Sequence, residues 1–416
     1  MILLNTFLPP LINTTPTTAI SILIILCFYV AYIASSWAFC THTPRPTLFT
    51  DISHCKDLLR SSTLKSRALT NYRLVVAFGI ESPITTSDRH FHDLVVLDVK
   101  NTLSFWDTDL QRAVLVAEAK SFIKQYILER NREGPSGLEQ LVQTLVIQIL
   151  LKMFYPDIPA ASISDIEILA QNINELWKDS KSPLKVFYGS FFPFRLFLSL
   201  NSRKLRLHRK LNEMFPTLGN GQIPSRVNPL NVLLPAYMGM WKATWKVFVE
   251  VGSRVSEGQG KEWDLLFQDF LKNPSEQAWS TKTAGKVSVQ SIVAETLRLY
   301  PSTRRIYRNV RTHFMDIGAI EGVDVEGLHR LEGVWGAQPL EFDPSRWDMH
   351  GMTMTNKREY MPFGRFGKEI GQCPSLARGG PKLMGILGAA LLGVLKENEW
   401  EFIKDDGGPA IGTRLT

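Results

Sequence analysis

Charge is missing from the start of this chain: no Asp, Glu, Lys or Arg occurs before Arg45. Cysteine is scarce too, with four in 416 residues (Cys27, Cys40, Cys55 and Cys373), too few for a disulfide-stapled scaffold of this length. No Cys-x-x-Cys pair exists, which argues against a zinc site built from cysteines, and the sparse usage fits a reducing compartment. No Lys/Arg block is interleaved with aromatics, so base stacking on nucleic acid has no platform. The formal charge of +7 and pI near 9.1 instead suit an acidic membrane surface or an acidic protein partner. Repeats and low-complexity tracts are absent. Hydrophobic residues at 44% against 21% charged exclude extensive disorder and supply a large core.

Within the uncharged start, Ala19 to Phe39 reads AISILIILCFYVAYIASSWAF, long enough to cross a hydrocarbon layer of about 30 Å. Tyr29, Tyr32 and Trp37 suit an interface, and the basic excess after Arg45 places the C-terminal bulk on the cytoplasmic side. The expected organisation is a short lumenal 1–18, a transmembrane anchor at 19–39, a Pro-containing linker at 40–50 and a catalytic domain at 51–416. A cleaved signal peptide is the competing reading, and the missing basic n-region speaks against it.

The remainder has helical periodicity. Helices are expected over Leu110–Asn131, Gly137–Phe154, Asp165–Trp177, Arg203–Lys210, Asn231–Val251 and Ser288–Tyr300, the last stopped by Pro301. Strand candidates are short: Leu74–Ala77 and Ile306–Val310. The fold class expected is mainly α with a minor β part.

Chemistry concentrates near the C-terminus. Tyr360 to Pro374 is a Gly-rich loop presenting Cys373, followed by an apolar run from Leu383 to Leu395. A single thiolate so presented is a soft, donating ligand for iron, and Ser375-Leu-Ala377 is expected to begin a helix whose positive end favours it. Upstream, Glu295 and Arg298 are three apart on one helix face and able to pair, alone a commonplace surface arrangement. Phe342-Asp-Pro-Ser-Arg346-Trp347 adds a second arginine.

In this order (helix ExxR, FxPxRW, Cys loop, apolar helix) the sequence resembles the cytochrome P-450 superfamily of haem-thiolate monooxygenases. Leu299-Tyr-Pro-Ser-Thr-Arg-Arg305, Gly327-Leu-His-Arg330 and Val334-Trp-Gly336 agree with it, and the N-terminal anchor resembles that of fungal microsomal members. The resemblance runs from about Ser288 to Phe402. It implies a cytochrome P-450-like fold with one transmembrane helix, haem bound through Cys373, and a brace of Glu295, Arg298 and Arg346 behind the cysteine loop. It further implies haem contacts from Arg304 or Arg305, His92, Phe363, Gly364 and Lys368, with Gly367 letting backbone pass close. Electrons would come from an NADPH-dependent reductase, the substrate would be an apolar small molecule, and the address is the endoplasmic reticulum membrane.

Two departures matter. Phe363 and Cys373 stand ten apart where the family has seven. The central helix carries Pro235-Ala-Tyr-Met-Gly-Met-Trp241 in place of the family's acid/Thr pair, leaving Thr244 as the candidate catalytic alcohol, with a packing role as its plainer reading. Some fungal members share this Trp-bearing version, which points to secondary-metabolite biosynthesis. The alternatives are a haem-containing isomerase or cyclase, and a haem-deficient binding protein.

Overall fold

The computed structural model describes residues 46–413, apart from 131–136, 184, 187–198, 219–222, 256–257, 284–286, 311–318, 349–359, 362–372, 377, 399 and 406–407. The chain divides into two units, Met1–Arg45 with Arg311–Ala319, and Pro46–Val310 with Ile320–Thr416; the second is the body described here. The anchor expected at 19–39 lies outside the described residues, as do Cys27 and Cys40. Among the described residues no helix is long and apolar enough to cross a membrane.

The body begins with β1 (Thr47–Phe49), inside the segment read as linker. Helix α1 (Ile52–Ser61) follows, capped by Asp51, whose carboxylate accepts from His54 N–H at 2.7 Å. Next come α2 (Leu64–Thr70), capped by Thr63, and α3 (Tyr72–Phe78). The run Leu74–Ala77 was expected as a strand and is instead the middle of α3. Four apolar residues fit either state. Here Gly79, at φ 66°, closes a helix, and Leu74, Ala77 and Phe78 turn into the core together at helical spacing.

Helices α4 (Arg89–Trp106), α5 (Asp109–Arg130), α6 (Leu138–Phe154), α7 (Ile163–Asp179), α8 (Ser199–Met214) and α9 (Leu230–Gly252) form the middle. The expected helices sit within one or two residues of these, except that α8 extends the basic Arg203–Lys210 stretch at both ends. It is not solvated all round: Leu207, His208 and Leu211 are buried while Arg206 and Arg209 are exposed. After α10 (Gly258–Lys272) and α11 (Glu276–Ser280) comes α12 (Val289–Leu299), opened by a capping box between Ser288 and Ser291. Strands β2 (Arg305–Val310) and β3 (Ala319–Asp324), the short helices α13 (Val325–Leu328) and α14 (Glu332–Trp335), the apolar helix α15 (Gly380–Glu397), and the antiparallel pair β4 (Trp400–Asp405) and β5 (Gly408–Thr413) complete the body.

Helix α15 lies at the centre of the packing, against α5, α9, α10 and α12. Almost every side chain from Leu383 to Leu395 is buried, each leucine contributing about 1.5–3 kcal/mol. A Cβ on Gly388 would lie 2.8 Å from Val247 Cγ1 of α9, so these two helices meet more closely than an alanine allows. The sheet has the order β1-β3-β2, with β1 and β3 parallel and Leu48 opposite Gly322. Helix α2 is tied to β2: Ser66 Oγ donates to Asn309 O at 2.8 Å and Thr70 Oγ1 to Tyr307 O at 3.1 Å. A second, smaller core gathers Cys55, Leu58, Leu59, Val323, Val325, Leu328 and Met361. Met361, at the entrance to the cysteine loop, is therefore packed into this second core.

Candidate functional site

The Glu295–Arg298 pair is not the surface pair its spacing alone suggests. Both residues are 0% exposed. Arg298 donates to Glu295 in parallel, Nε to Oε2 and Nη2 to Oε1, each at 2.8 Å. Arg346 Nε reaches the same Oε1 at 2.9 Å, joined by the backbone N–H of Asp343 at 3.0 Å. Trp347 Nε1 completes the carboxylate at Oε2, 3.0 Å away. The arginines spend their remaining donors on carbonyls: Arg298 Nη1 on His329 O and Pro339 O, and Arg346 Nη1 on Trp335 O. The indole of Trp335 lies 5.2 Å from the Arg298 guanidinium carbon. Such a group is worth burying only when every lone pair and proton is used, and here Glu295 accepts five hydrogen bonds. The three residues expected to form a brace are thus brought together.

The network continues to the entrance of the cysteine loop. Tyr360 OH donates to Ala294 O at 3.1 Å, and its ring stacks on His329 and meets Trp347 edge-on. Met361 N–H donates to His329 Nε2 at 3.0 Å, while His329 Nδ1 lies 2.9 Å from Arg298 O. Burial holds the His329 imidazole neutral, pushing it down to about 3.

Phe363, Gly364, Gly367 and Lys368 lie outside the described residues. Cys373 is described and half-buried, with its Sγ 2.8 Å from Ser375 Oγ. Burial pushes this thiol up, and hydrogen bonds from the Ser375 hydroxyl and from the Ser375 and Leu376 backbone N–H groups pull it back. The helix expected to begin at Ser375 does not: Pro374 to Leu376 form a turn, and α15 starts at Gly380. Gly379, at φ 83°, redirects the chain there, so amides of a turn stand toward the sulfur in place of a helix end. Cys55 is a different case. It is 0% exposed, its thiol donates to Phe49 O, and burial pushes it to about 11.

Arg304 and Arg305, the expected haem arginines, are exposed and stand near Glu326 and Asp324 at 3.8 and 3.9 Å. The buried one is Arg308, 6% exposed. Ile306, Arg308 and Val310 alternate along β2, and Ile306 and Val310 pack on the second core. An arginine in an apolar alternation was the signal available in the sequence. Facing it is Arg67 of α2, 7% exposed, brought there by the bonds from Ser66 and Thr70 to the carbonyls on either side of Arg308. Burial lowers both guanidinium groups to about 10, Arg67 adding to the effect on Arg308. Among the described residues, the buried Arg67 Nε and Arg308 Nε have no hydrogen-bond partner. His92 is 7% exposed, and burial holds its imidazole below the usual range against the pull of Asp93, with Arg67 adding to the lowering. Two arginines and a histidine thus converge with buried donors unspent, which suits an anionic group.

Thr244 is fully buried, and among the described residues its Oγ1 has no hydrogen-bond partner. It lies two turns after Tyr237, whose hydroxyl accepts from Asn174 of α7, so both residues share one side of α9. The more open side carries Pro235, Gly239, Lys242 and Lys246. A Cβ on Gly239 would lie 3.0 Å from Ser302 Cβ, so this side looks toward the segment leaving α12. Thr244 faces away from it, as its packing reading requires.

The family described as Cytochrome P450 matches residues 288–368. This chain is similar to cytochrome P450 3A29 of Sus scrofa, 38% identical over 79 residues covering 18% of this chain and 16% of that one. It is also similar to the cytochrome P450 monooxygenase claQ of Ampulloclitocybe clavipes, 26% identical over 134 residues covering 27% and 24%. The likeness thus spans a quarter or less of these relatives' own lengths. The family match covers the Glu295 network and stops before Cys373. Over residues 288–368 this chain is thus similar to the cytochrome P450 superfamily.

Proposed function

We propose that the chain is a membrane-anchored haem-thiolate monooxygenase with Cys373 as the axial ligand. The observation that carries this reading is the buried Glu295 network, which ties α12 to the segment leading into the cysteine loop. Bound haem would supply the activation of dioxygen, and the protein would seat it and position an apolar substrate. The residues fit such a group. Ser375 and the turn amides stand toward the sulfur and offset in part the burial that pushes its thiol up. Arg67, Arg308 and His92 offer an anion site suited to the propionates, in place of Arg304 and Arg305. Phe363, Gly364 and Lys368 remain candidates within the loop.

In this reading 19–39 is a single-pass anchor in the endoplasmic reticulum membrane, 1–18 is lumenal, 40–50 links, and 51–416 is the cytoplasmic catalytic domain fed by an NADPH-dependent reductase. The name of the relative from Ampulloclitocybe clavipes, a monooxygenase, is in keeping with the oxygenation reading, and a role in secondary-metabolite biosynthesis is part of the same proposal. One observation favours a second outcome at the same site. The open side of α9 between Pro235 and Lys246 carries no carboxylate or hydroxyl to deliver a proton, and Thr244 faces away. That suits rearrangement or cyclisation of a bound intermediate.

The test is the absorbance spectrum of the reduced, carbon-monoxide-bound protein. A thiolate-type Soret band, lost in Cys373→Ala, is expected; a wild-type protein that takes up no haem would sink both readings. Oxygen uptake dependent on NADPH, reductase and substrate then separates oxygenation from rearrangement.

A further inference from the structure

We infer that His329 is a positioning residue that sets where the cysteine loop begins, by linking the C-terminal end of α12 to the backbone of Met361. The inference rests on the reading of Cys373 as haem ligand and adds to it a residue outside the Glu295 brace. The chemistry permits one arrangement only. Met361 N–H can only donate, so His329 Nε2 accepts at 3.0 Å. Arg298 O can only accept, so the proton sits on Nδ1, 2.9 Å away. A protonated ring would turn a donor toward the Met361 donor and break the link, and burial at 0% exposure opposes that protonation. His329 O in turn accepts from Arg298 Nη1 at 2.7 Å, so the histidine holds Arg298 through backbone and side chain at once.

The consequence is mechanical. Tyr360 is pinned to Ala294 through its hydroxyl and Met361 to Arg298 through the imidazole, both on α12. The two residues that lead into the cysteine loop are therefore tied to the same helix that holds Glu295. Tyr360 stacks on the His329 ring with centroids 5.5 Å apart, which keeps the ring in this orientation.

The experiment compares the full chain with His329→Asn and His329→Gln. Asparagine keeps a donor at the position of Nδ1 and loses the acceptor for Met361; glutamine keeps an acceptor at the position of Nε2. In His329→Asn, amide exchange of the peptide containing Met361 should quicken about tenfold, the loss of one hydrogen bond. The thiolate-type share of the reduced carbon-monoxide band should fall with it, and His329→Gln should retain most of both. Unchanged exchange and an unchanged band in His329→Asn overturn the inference while leaving the haem reading intact. If the wild type binds no haem, the functional reading fails and the exchange arm still decides the link. If the asparagine variant does not fold, nitrogen NMR of the wild-type imidazole decides it: a ring protonated on Nε2 overturns it, and the Nδ1–H form supports it.

Discussion

Glu295 carries more consequence than any other described side chain, because the buried Arg298 and the partly buried Arg346 depend on one carboxylate. Glu295→Gln keeps the volume and removes the charge, leaving Arg298 and Arg346 without an anion. A loss of about 3–5 kcal/mol is expected, read as a lowered denaturant midpoint with an unchanged slope. Arg308 predicts the opposite sign. It is a buried cation beside a second one, so Arg308→Met should leave the haem-free chain as stable or more stable, by up to about 4 kcal/mol. The same variant should release haem faster, if Arg308 holds a propionate. A parallel loss of stability and haem would instead make Arg308 an ordinary structural residue. Motif order pointed to Glu295, Arg298 and Arg346 in advance. It pointed to Arg304 and Arg305 as well, because sequence places an arginine after α12 without saying which one the strand turns inward. Arg67 left no trace in the sequence, since its importance depends on α2 lying across β2.

At the scale of elements, α15 sets the tolerance of the fold. Its contact with α9 is closed by the absence of a side chain at Gly388, with Val247 Cγ1 2.8 Å from where a Cβ would stand. Alanine in a helix interior ordinarily gains about 1 kcal/mol over glycine. Here Val247 is β-branched and fully buried and cannot swing aside, so Gly388→Ala should destabilise by about 1–3 kcal/mol in denaturant unfolding. The six expected helices were legible because each carries an apolar helical period, whereas α4 and α10 were not anticipated. Leu74–Ala77 was not, because four apolar residues carry no period and only Gly79 and the core decide between strand and helix. The start of α15 was also misplaced. A proline after cysteine suggests an immediate helix, and the chain instead turns at Gly379 to enter one later.

For the whole molecule, the described body begins at Pro46 and contains both cores, the sheet and the Glu295 network. A chain lacking residues 1–45 should therefore fold with the same denaturant midpoint, while recovery with membranes drops sharply against the full chain. Equal sedimentation of the two forms would show that the body, not the segment at 19–39, holds the membrane.

Sequence alone determined the order of the chemical motifs, the helical character of the body and the segment that resembles the superfamily. These are properties of neighbours along the chain, where spacing translates directly into a shared helix face. Tertiary structure decided which charges lie in water and which do not. It placed Arg308 and Arg67 together inside, left Arg304 and Arg305 outside, turned Thr244 away from the open side of α9, and linked Met361 to His329. Those outcomes depend on which segments far apart in sequence come to exclude water from one another, and no local pattern encodes that.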